Sequence, residues 1–545
     1  MFITKKSFFI GSIIFIFTAL VATPPIWWFC LWTAPLQIST ETTFITKPLT
    51  SDGKQIDYFQ ALENLLNPSG MKTNNNGYRL FLRSFGLPKH EFSSDSMRKQ
   101  FYEKLGLDPV IDAEPTHSIS TVYAFLERDD WRAYDSAGHW TLENFPTLAD
   151  WLAENSDGID QLSKILRTSI FHVPIVRDDK KSVSASLLGI QNLSLMQQYR
   201  SFARTVAGRA RYRIGIGDID GAIEDILTIH RLGRHVANQG MIIHYLVGFA
   251  IEGVANDIAI KGNSDYPPTT KQLKHFIQEL HQLPSQIEWS AVCEGERLFS
   301  LGALQELFES KNLTDWKSMI SDDPKFQKWI FKISDANTIF KIVNQAYDRV
   351  VVLETENTDW ETANRHWNTL RRQFRNPFRY LTVQSRSKQI ANALVDVFTC
   401  NFDGLLNNYQ RCECLDRLKR LTLALLLYEA EYGSMPVGDW REAVKPYLGD
   451  TPEKYFYCPS DGTGYALVLT DDPTPETPLL VETRLENMSE NGTIANDPAL
   501  FTEVHILGMR LAPQLGISGF IHTSYRNGVV RSVRASPLPP RKPCC

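Results

Sequence analysis

Hydrophobic positions recur at helical spacing along most of the chain. Tyr58, Phe59, Leu62, Leu65 and Leu66 repeat at steps of three and four residues, which predicts a helix. Asn74-Asn75-Asn76-Gly77 is a turn signal, and the pattern resumes at Tyr78, Leu80, Phe81 and Phe85. Leu148, Trp151 and Leu152, then Ile159, Leu162 and Ile165, give a further helix pair. The clearest stretch lies between residues 187 and 260. Gln197 to Ile214 puts Phe202, Val206, Ala207 and Ala210 on one face, and Gly215-Ile216-Gly217-Asp218 stops it. Asp218 or Asp220 can cap the next helix, whose apolar stripe is Ala222, Ile223, Ile226, Leu227 and Leu232. Gly240 breaks that helix, and Ile242 to Ile260 forms a third. Short turns between such helices make αα-hairpins like tetratricopeptide units, but no repeat has a fixed period, so a solenoid is not expected. Helices continue over residues 271–400, interrupted by Pro268, Pro284, Pro324 and Pro377.

The pattern changes near residue 403. One long helix is predicted to Tyr432, ended by Gly433-Ser434-Met435-Pro436. Strand-like pieces follow at Tyr465 to Leu469 and Leu479 to Thr483, then a hairpin of Ile521 to Tyr525 and Val529 to Val533. Asn527-Gly528 between those strands favours a two-residue type I′ turn.

The N-terminal segment is apolar without periodicity. Lys5 and Lys6 precede a run from Phe8 to Trp32, and no charge occurs between Lys6 and Glu41. A helix needs about 20 apolar residues to cross the hydrocarbon core, and this run supplies them. Trp27, Trp28 and Trp32 suit the far headgroup belt, and Pro24-Pro25 would kink or end the helix. The lysines predict a single-pass inner-membrane topology, with the N-terminus cytoplasmic and the body extracytoplasmic. The rival reading is a cleaved signal peptide ending at Val21-Ala22-Thr23, against which Leu20 is large where cleavage wants a small residue. The expected organisation is an anchor at 1–36, a polar linker at 37–56, an α-helical domain at 57–400, a small α+β domain at 405–535 and a disordered tail at 536–545. The fold class is mainly α.

The 545 residues exceed one compact core, and 43% hydrophobic with 22% charged residues is an ordinary globular balance. A net charge of -5 leaves no electrostatic footprint for nucleic acid. The eight cysteines are too few for a disulfide scaffold.

No motif establishes an activity. Gly215 to Gly221 has one residue too many for G-x-G-x-x-G and follows a helix, so a helix-hairpin turn is expected. An EF-hand fails because Ile229 stands where the bidentate Glu belongs. His230, His235 and His244 lie near Glu224, Asp225 and Glu252, but His230 and His235 are five apart and do not share a helix face. Surface or partly buried histidines are therefore expected. Glu294 and Glu296 diverge on a helix, leaving a charged face with a structural Glu–Arg pair to Arg297. Cys412-x-Cys414 could be half a zinc site, with Cys458 the one candidate partner. Cys544-Cys545 resembles a prenylation signal, yet no P-loop accompanies it. Gly516-Ile517-Ser518-Gly519 is not a nucleophile elbow, and no H-E-x-x-H occurs. Sequons at Asn192, Asn312, Asn487 and Asn491 matter only in a eukaryotic secretory pathway. No cofactor and no metal is expected.

From Cys414-Leu415-Asp416-Arg417-Leu418-Lys419-Arg420-Leu421 the chain runs through Tyr428, Tyr432-Gly433, Pro436, Trp440 and Tyr447-Leu448. Cys458-Pro459, Gly464-Tyr465 and Asn527-Gly528-Val529 follow. This pattern resembles the C-terminal part of bacterial prepilin-like proteins, including type II secretion pseudopilins and their planctomycete relatives. Two features depart from it. Pilins place the membrane helix directly before this pattern, and Cys458-Pro459-Ser460-Asp461-Gly462 replaces the calcium loop. The resemblance therefore implies a fold, not pilus assembly. Asn76-Gly77-Tyr78-Arg79, Ala149-Asp150-Trp151-Leu152, Gly217-Asp218, Arg231-Leu232-Gly233-Arg234 and Leu246-Val247-Gly248 with Ala250-Ile251 resemble uncharacterised membrane-anchored planctomycete proteins.

Export together with the pilin-like pattern implies a disulfide between Cys414 and Cys458, with Cys412 the competing partner. The functional expectation is a non-enzymatic, membrane-anchored envelope protein that binds another envelope protein or assembles at the membrane. The alternative is an exported hydrolase with its active site in the helical domain, which would need titratable groups converging in one deep pocket.

Overall fold

The structure, a computed structural model, describes residues 33–66, 75–88, 92, 94–109, 115–128, 130–136, 138–176, 193–260, 266–309, 333–352, 382–399, 402–436, 438–458, 464–469, 478–483, 493–495, 520–525 and 530–534. The expected anchor within 1–32, the Asn527-Gly528 turn and the tail lie outside them. Among the described residues no helix is long and apolar enough to cross a membrane.

The chain is mainly helical. Its helices are α1 (Tyr58–Leu66), α2 (Gly77–Phe85), α3 (Asp95–Lys104), α4 (Asp130–Ser136), α5 (Leu148–Leu166), α6 (Leu193–Gly215) and α7 (Ile219–Ala237). Then come α8 (Ile242–Ile260), α9 (Thr270–His281), α10 (Trp289–Glu309), α11 (Ala336–Val352), α12 (Val383–Thr399), α13 (Phe402–Tyr432) and α14 (Trp440–Val444). Local chemistry sets several ends. Asp218 caps α7 by accepting from the Gly221 N–H, and Asn76 caps α2 by accepting from the Tyr78 N–H. Asn76 is buried and also exchanges two hydrogen bonds of 3.0 Å with the backbone of His172. Gly217 and Gly240, in the turns flanking α7, have φ of 77° and 76°, where a side chain would be strained.

One apolar core joins α2, α3 and α5 to α9; a second joins α1, α8, α10, α11 and α12. The start of the polar segment, residues 35–41, lies against α11, and its later residues Phe44 and Ile56 meet Arg297 and Gln305 of α10. The Asn337 amide donates to the Pro35 carbonyl (2.9 Å), the Asn344 amide to the carbonyls of Thr40 and Glu41, and Lys341 pairs with Glu41.

α13 belongs to two cores at once. Leu423 and Leu427 pack into the first helical core, while Leu418, Leu421, Ala424 and Leu425 pack with Trp440, Val444, Phe456 and Tyr465 in the C-terminal core. The sheet has the order β3-β1-β2-β4-β5, with β1 Gly464–Leu469, β2 Pro478–Thr483, β3 Thr493–Ala495, β4 Phe520–Tyr525 and β5 Val530–Arg534. Pairings are antiparallel except for β1 with β3. In the hairpin strands Phe520 pairs with Arg534 and Ser524 with Val530.

Candidate functional site

Helix α7 is buried from Asp225 to Ala237, although Asp225, Thr228, His230, Arg231, Arg234 and His235 are polar. Buried polar groups need partners, so the packing of this helix is a problem of pairing. Helix α6 answers it on one side. Arg209 grips Asp225 with two bonds of 3.0 and 2.7 Å, and Arg213 adds a third contact at 3.1 Å. The forked guanidinium matches the carboxylate, as a bidentate pair requires.

Helix α13 answers it on another side. The Lys419 ammonium is fully buried. It lies 2.8 Å from Asn256 Oδ1 on α8, 2.7 Å from Asp416 Oδ1 and 3.2 Å from His230 Nε2. Three ammonium protons thus face three acceptors. This arrangement uses Nε2 of His230 as acceptor, which puts the imidazole proton on Nδ1, facing Glu252 Oε2 at 3.5 Å. Burial, reinforced by Lys419, pushes His230 down to about 4, so the ring is neutral at pH 7. Glu252 also meets Arg234 at 2.8 Å. Burial works to raise Glu252, but Arg234 and His230 hold it below the ordinary value. Asp416 is likewise opposed by burial, yet Arg420, Lys419 and Arg234 hold it well below the usual carboxylate range. The junction therefore carries alternating charges in ion-pair contact across α7, α8 and α13, with His230 Nδ1, Arg234 Nε, Glu252 Oε1 and Asp416 Oδ1 making no hydrogen bond among the described residues.

The other expected groups go elsewhere. His235 lies 3.1 Å from the Leu166 carbonyl and stacks on Phe171, and His244 lines a separate cleft. Burial pushes both down to about 4. All three histidines are thus buried, correcting the expectation of surface or partly buried ones, and only His230 meets an expected carboxylate. Glu224 pairs with Arg167 on the outside. Arg297 takes its carboxylate from Asp348 on α11, which corrects the expected pairing with a neighbouring Glu, and its guanidinium lies over the Phe44 ring at 4.2 Å. Glu296 is pushed up to about 7 by burial.

Cys414 and Cys458 lie in the same C-terminal core, and the Tyr465 hydroxyl donates to Cys414 Sγ at 3.1 Å. Cys412 packs against the second helical core instead. Among the described residues no three His, Cys, Asp or Glu side chains are grouped to hold a metal.

Sequence reasoning does not single out Lys419, Asn256 or Asp416 as members of this junction. Lys419 lies 189 positions from His230 and 163 from Asn256, beyond any local pattern. One signal is present: Lys419 shares the stripe of Leu423 and Leu426, so a charge stands on an apolar face.

No family model, curated protein or solved structure matches this chain.

Proposed function

We propose that this is a membrane-anchored envelope protein whose helical body and C-terminal head act as one binding unit for another envelope protein. The observation that carries the reading is the double membership of α13, whose two faces enter two cores while Lys419 ties it to α7 and α8. Such a helix transmits the position of the body to the head, which suits a scaffold. Among the described residues, the charges of the polar junction are paired with one another across the helices, which supports a packing role. The strap at 37–56 supports the same reading. If residues 1–32 cross the membrane, the fastening of the next segment to α11 holds the body close to the bilayer. We further propose that the head is pseudopilin-like, on the residue pattern from Cys414 to Val529.

The test is crosslinking in intact cells followed by extraction of the full chain from membranes. The reading expects one envelope protein in stoichiometric amount, lost when residues 405–535 are deleted. Recovery of the chain alone, with turnover of model esters, glycosides or peptides by the purified protein, would favour the hydrolase reading.

A further inference from the structure

His230 sits between the helices that the polar junction joins, and a histidine is the side chain whose charge changes near neutral pH. Its ring is fully buried. Nε2 faces the Lys419 ammonium of α13 at 3.2 Å, and Nδ1 faces Glu252 Oε2 of α8 at 3.5 Å. The charged groups acting on it are Lys419 and Asp416 from α13 and Glu252 from α8. Arg234, on α7 itself, takes the other oxygen of Glu252.

A neutral imidazole can accept from Lys419. An imidazolium cannot, because both of its nitrogens are donors. A second proton on the buried ring therefore lands on Nε2, directly against the ammonium. Glu252 and Asp416 favour that proton, but burial and Lys419 outweigh them and push the ring down to about 4. Lifting α13 off α7 removes the conflict, since the ring then loses Lys419, meets water and returns toward 6.5.

We propose that the contact between Lys419 and His230 is an acid-sensitive latch: protonation of His230 releases α13, and the head with it, from α7 and α8 while the helical body stays folded. The latch is internal to the chain and does not depend on which partner the protein takes.

Between about 6.5 and 4 the open form binds one proton more than the closed form, so falling pH favours opening by roughly tenfold per pH unit. Glu252 and Asp416 are held below their ordinary values of 4.5 and 3.8, so they gain protons on opening only in more acid solution. Burial lowers Lys419 while Asp416 opposes it, so a titrating Lys419 acts in the same sense as His230, and variants separate the two.

Carbodiimide labelling of carboxylates in the detergent-solubilised full chain, read by mass spectrometry, tests this between about pH 6 and about pH 5. Glu252 and Asp416, with side chains 6% and 14% exposed, report the junction. Asp225, gripped by Arg209, reports the body, and the exposed Asp150 corrects for the reagent. Labelling of Glu252 and Asp416 relative to Asp150 should rise roughly tenfold over that unit, with Asp225 unlabelled. His230→Gln keeps an acceptor for Lys419 but does not titrate, so it should flatten the rise. His244→Gln, outside the junction, should leave it intact. A flat native profile, a rise that comes only together with Asp225, or an unchanged rise in His230→Gln would overturn the proposal. The comparison of Glu252 and Asp416 with Asp225 uses the native chain, so it stands even where a variant fails to fold.

Discussion

Gly233 of α7 and Gly248 of α8 stand against each other where the two helices cross. A Cβ on Gly248 would lie 2.5 Å from the Gly233 carbonyl oxygen, and one on Gly233 would lie 2.6 Å from Cγ of Glu252. The close crossing brings Glu252 against His230 and Arg234, so the polar junction depends on two missing side chains.

Gly248→Ala should therefore push the helices apart and destabilise the protein by roughly 1–3 kcal/mol, the usual range for overpacking. Gly253 lies in the same helix, and nothing stands within 4 Å of its Cβ position. Gly253→Ala should instead stabilise by about 0.5–1 kcal/mol through helix propensity. Urea midpoints of the two variants check the contrast, and equal effects would refute the crossing.

Stability should rise with pH between about 4 and 6.5. His230, His235 and His244 are pushed from 6.5 to about 4 by burial, so the unfolded chain binds more protons than the folded one across that window. Each histidine contributes up to roughly 1.4 kcal/mol per pH unit there, and their stabilisation is fully present above 6.5. Glu296 opposes them. Raised from 4.5 to about 7, it keeps a proton that the unfolded chain releases, so its contribution falls as pH rises through that range. Asp225, also raised by burial, opposes them in the same sense, while His172, lowered by burial, adds to them, so the histidines outnumber the carboxyls. Glu296→Gln should steepen the rise, which urea midpoints at about pH 5 and about pH 7 would show; a flat or falling profile in the native chain would contradict the buried neutral state of the histidines.

The strap on α11 should resist proteolysis. Asn337 and Asn344 hold the backbone from Pro35 to Glu41, and the Tyr58 hydroxyl donates to the Thr43 carbonyl at 2.9 Å. Asn337→Ala with Asn344→Ala removes the first two clamps. Limited proteolysis should then cut between residues 37 and 56 at least tenfold faster, with little change in the cutting of α5 to α9. Equal rates would mean that the clamps do not hold the segment.

The C-terminal core should contain a Cys414–Cys458 disulfide when the protein is recovered from an oxidising compartment. Both residues are buried in that core, whereas Cys412 faces the other. A bond closing a loop of about 45 residues stabilises by roughly 3–4 kcal/mol if it is unstrained. Peptide mapping without reductant checks the pairing. A 412–458 pair, or a 414–458 pair whose reduction leaves the melting of the head unchanged, would count against it.

The helix boundaries around α7 are legible in the sequence because short-range chemistry sets them: an Asp at the cap, and glycines in the turns. The strands β1, β2, β4 and β5 are legible from their apolar runs. The short strand β3 is not, since its three residues carry little pattern and its parallel partner lies across a long connection. The hairpin strands are found where their apolar runs put them. The histidines stand out as a group on spacing alone, yet their surroundings are set by helices far away in sequence. Lys419 marks the limit most clearly: a charge on an apolar stripe signals a buried partner, and only the fold says which one.

Lys419→Met tests most directly the claim that α13 couples head to body. The substitution keeps the length of the side chain and removes the ammonium that joins Asp416, Asn256 and His230. Breaking a buried charge network by removing one member costs about 3–5 kcal/mol. Hydrogen exchange followed by mass spectrometry reads α7 and α8 separately from α14 and the Tyr455–Phe456 segment. Coupling through α13 predicts that protection falls in both regions together, with matching losses. Unchanged protection in either region would contradict it.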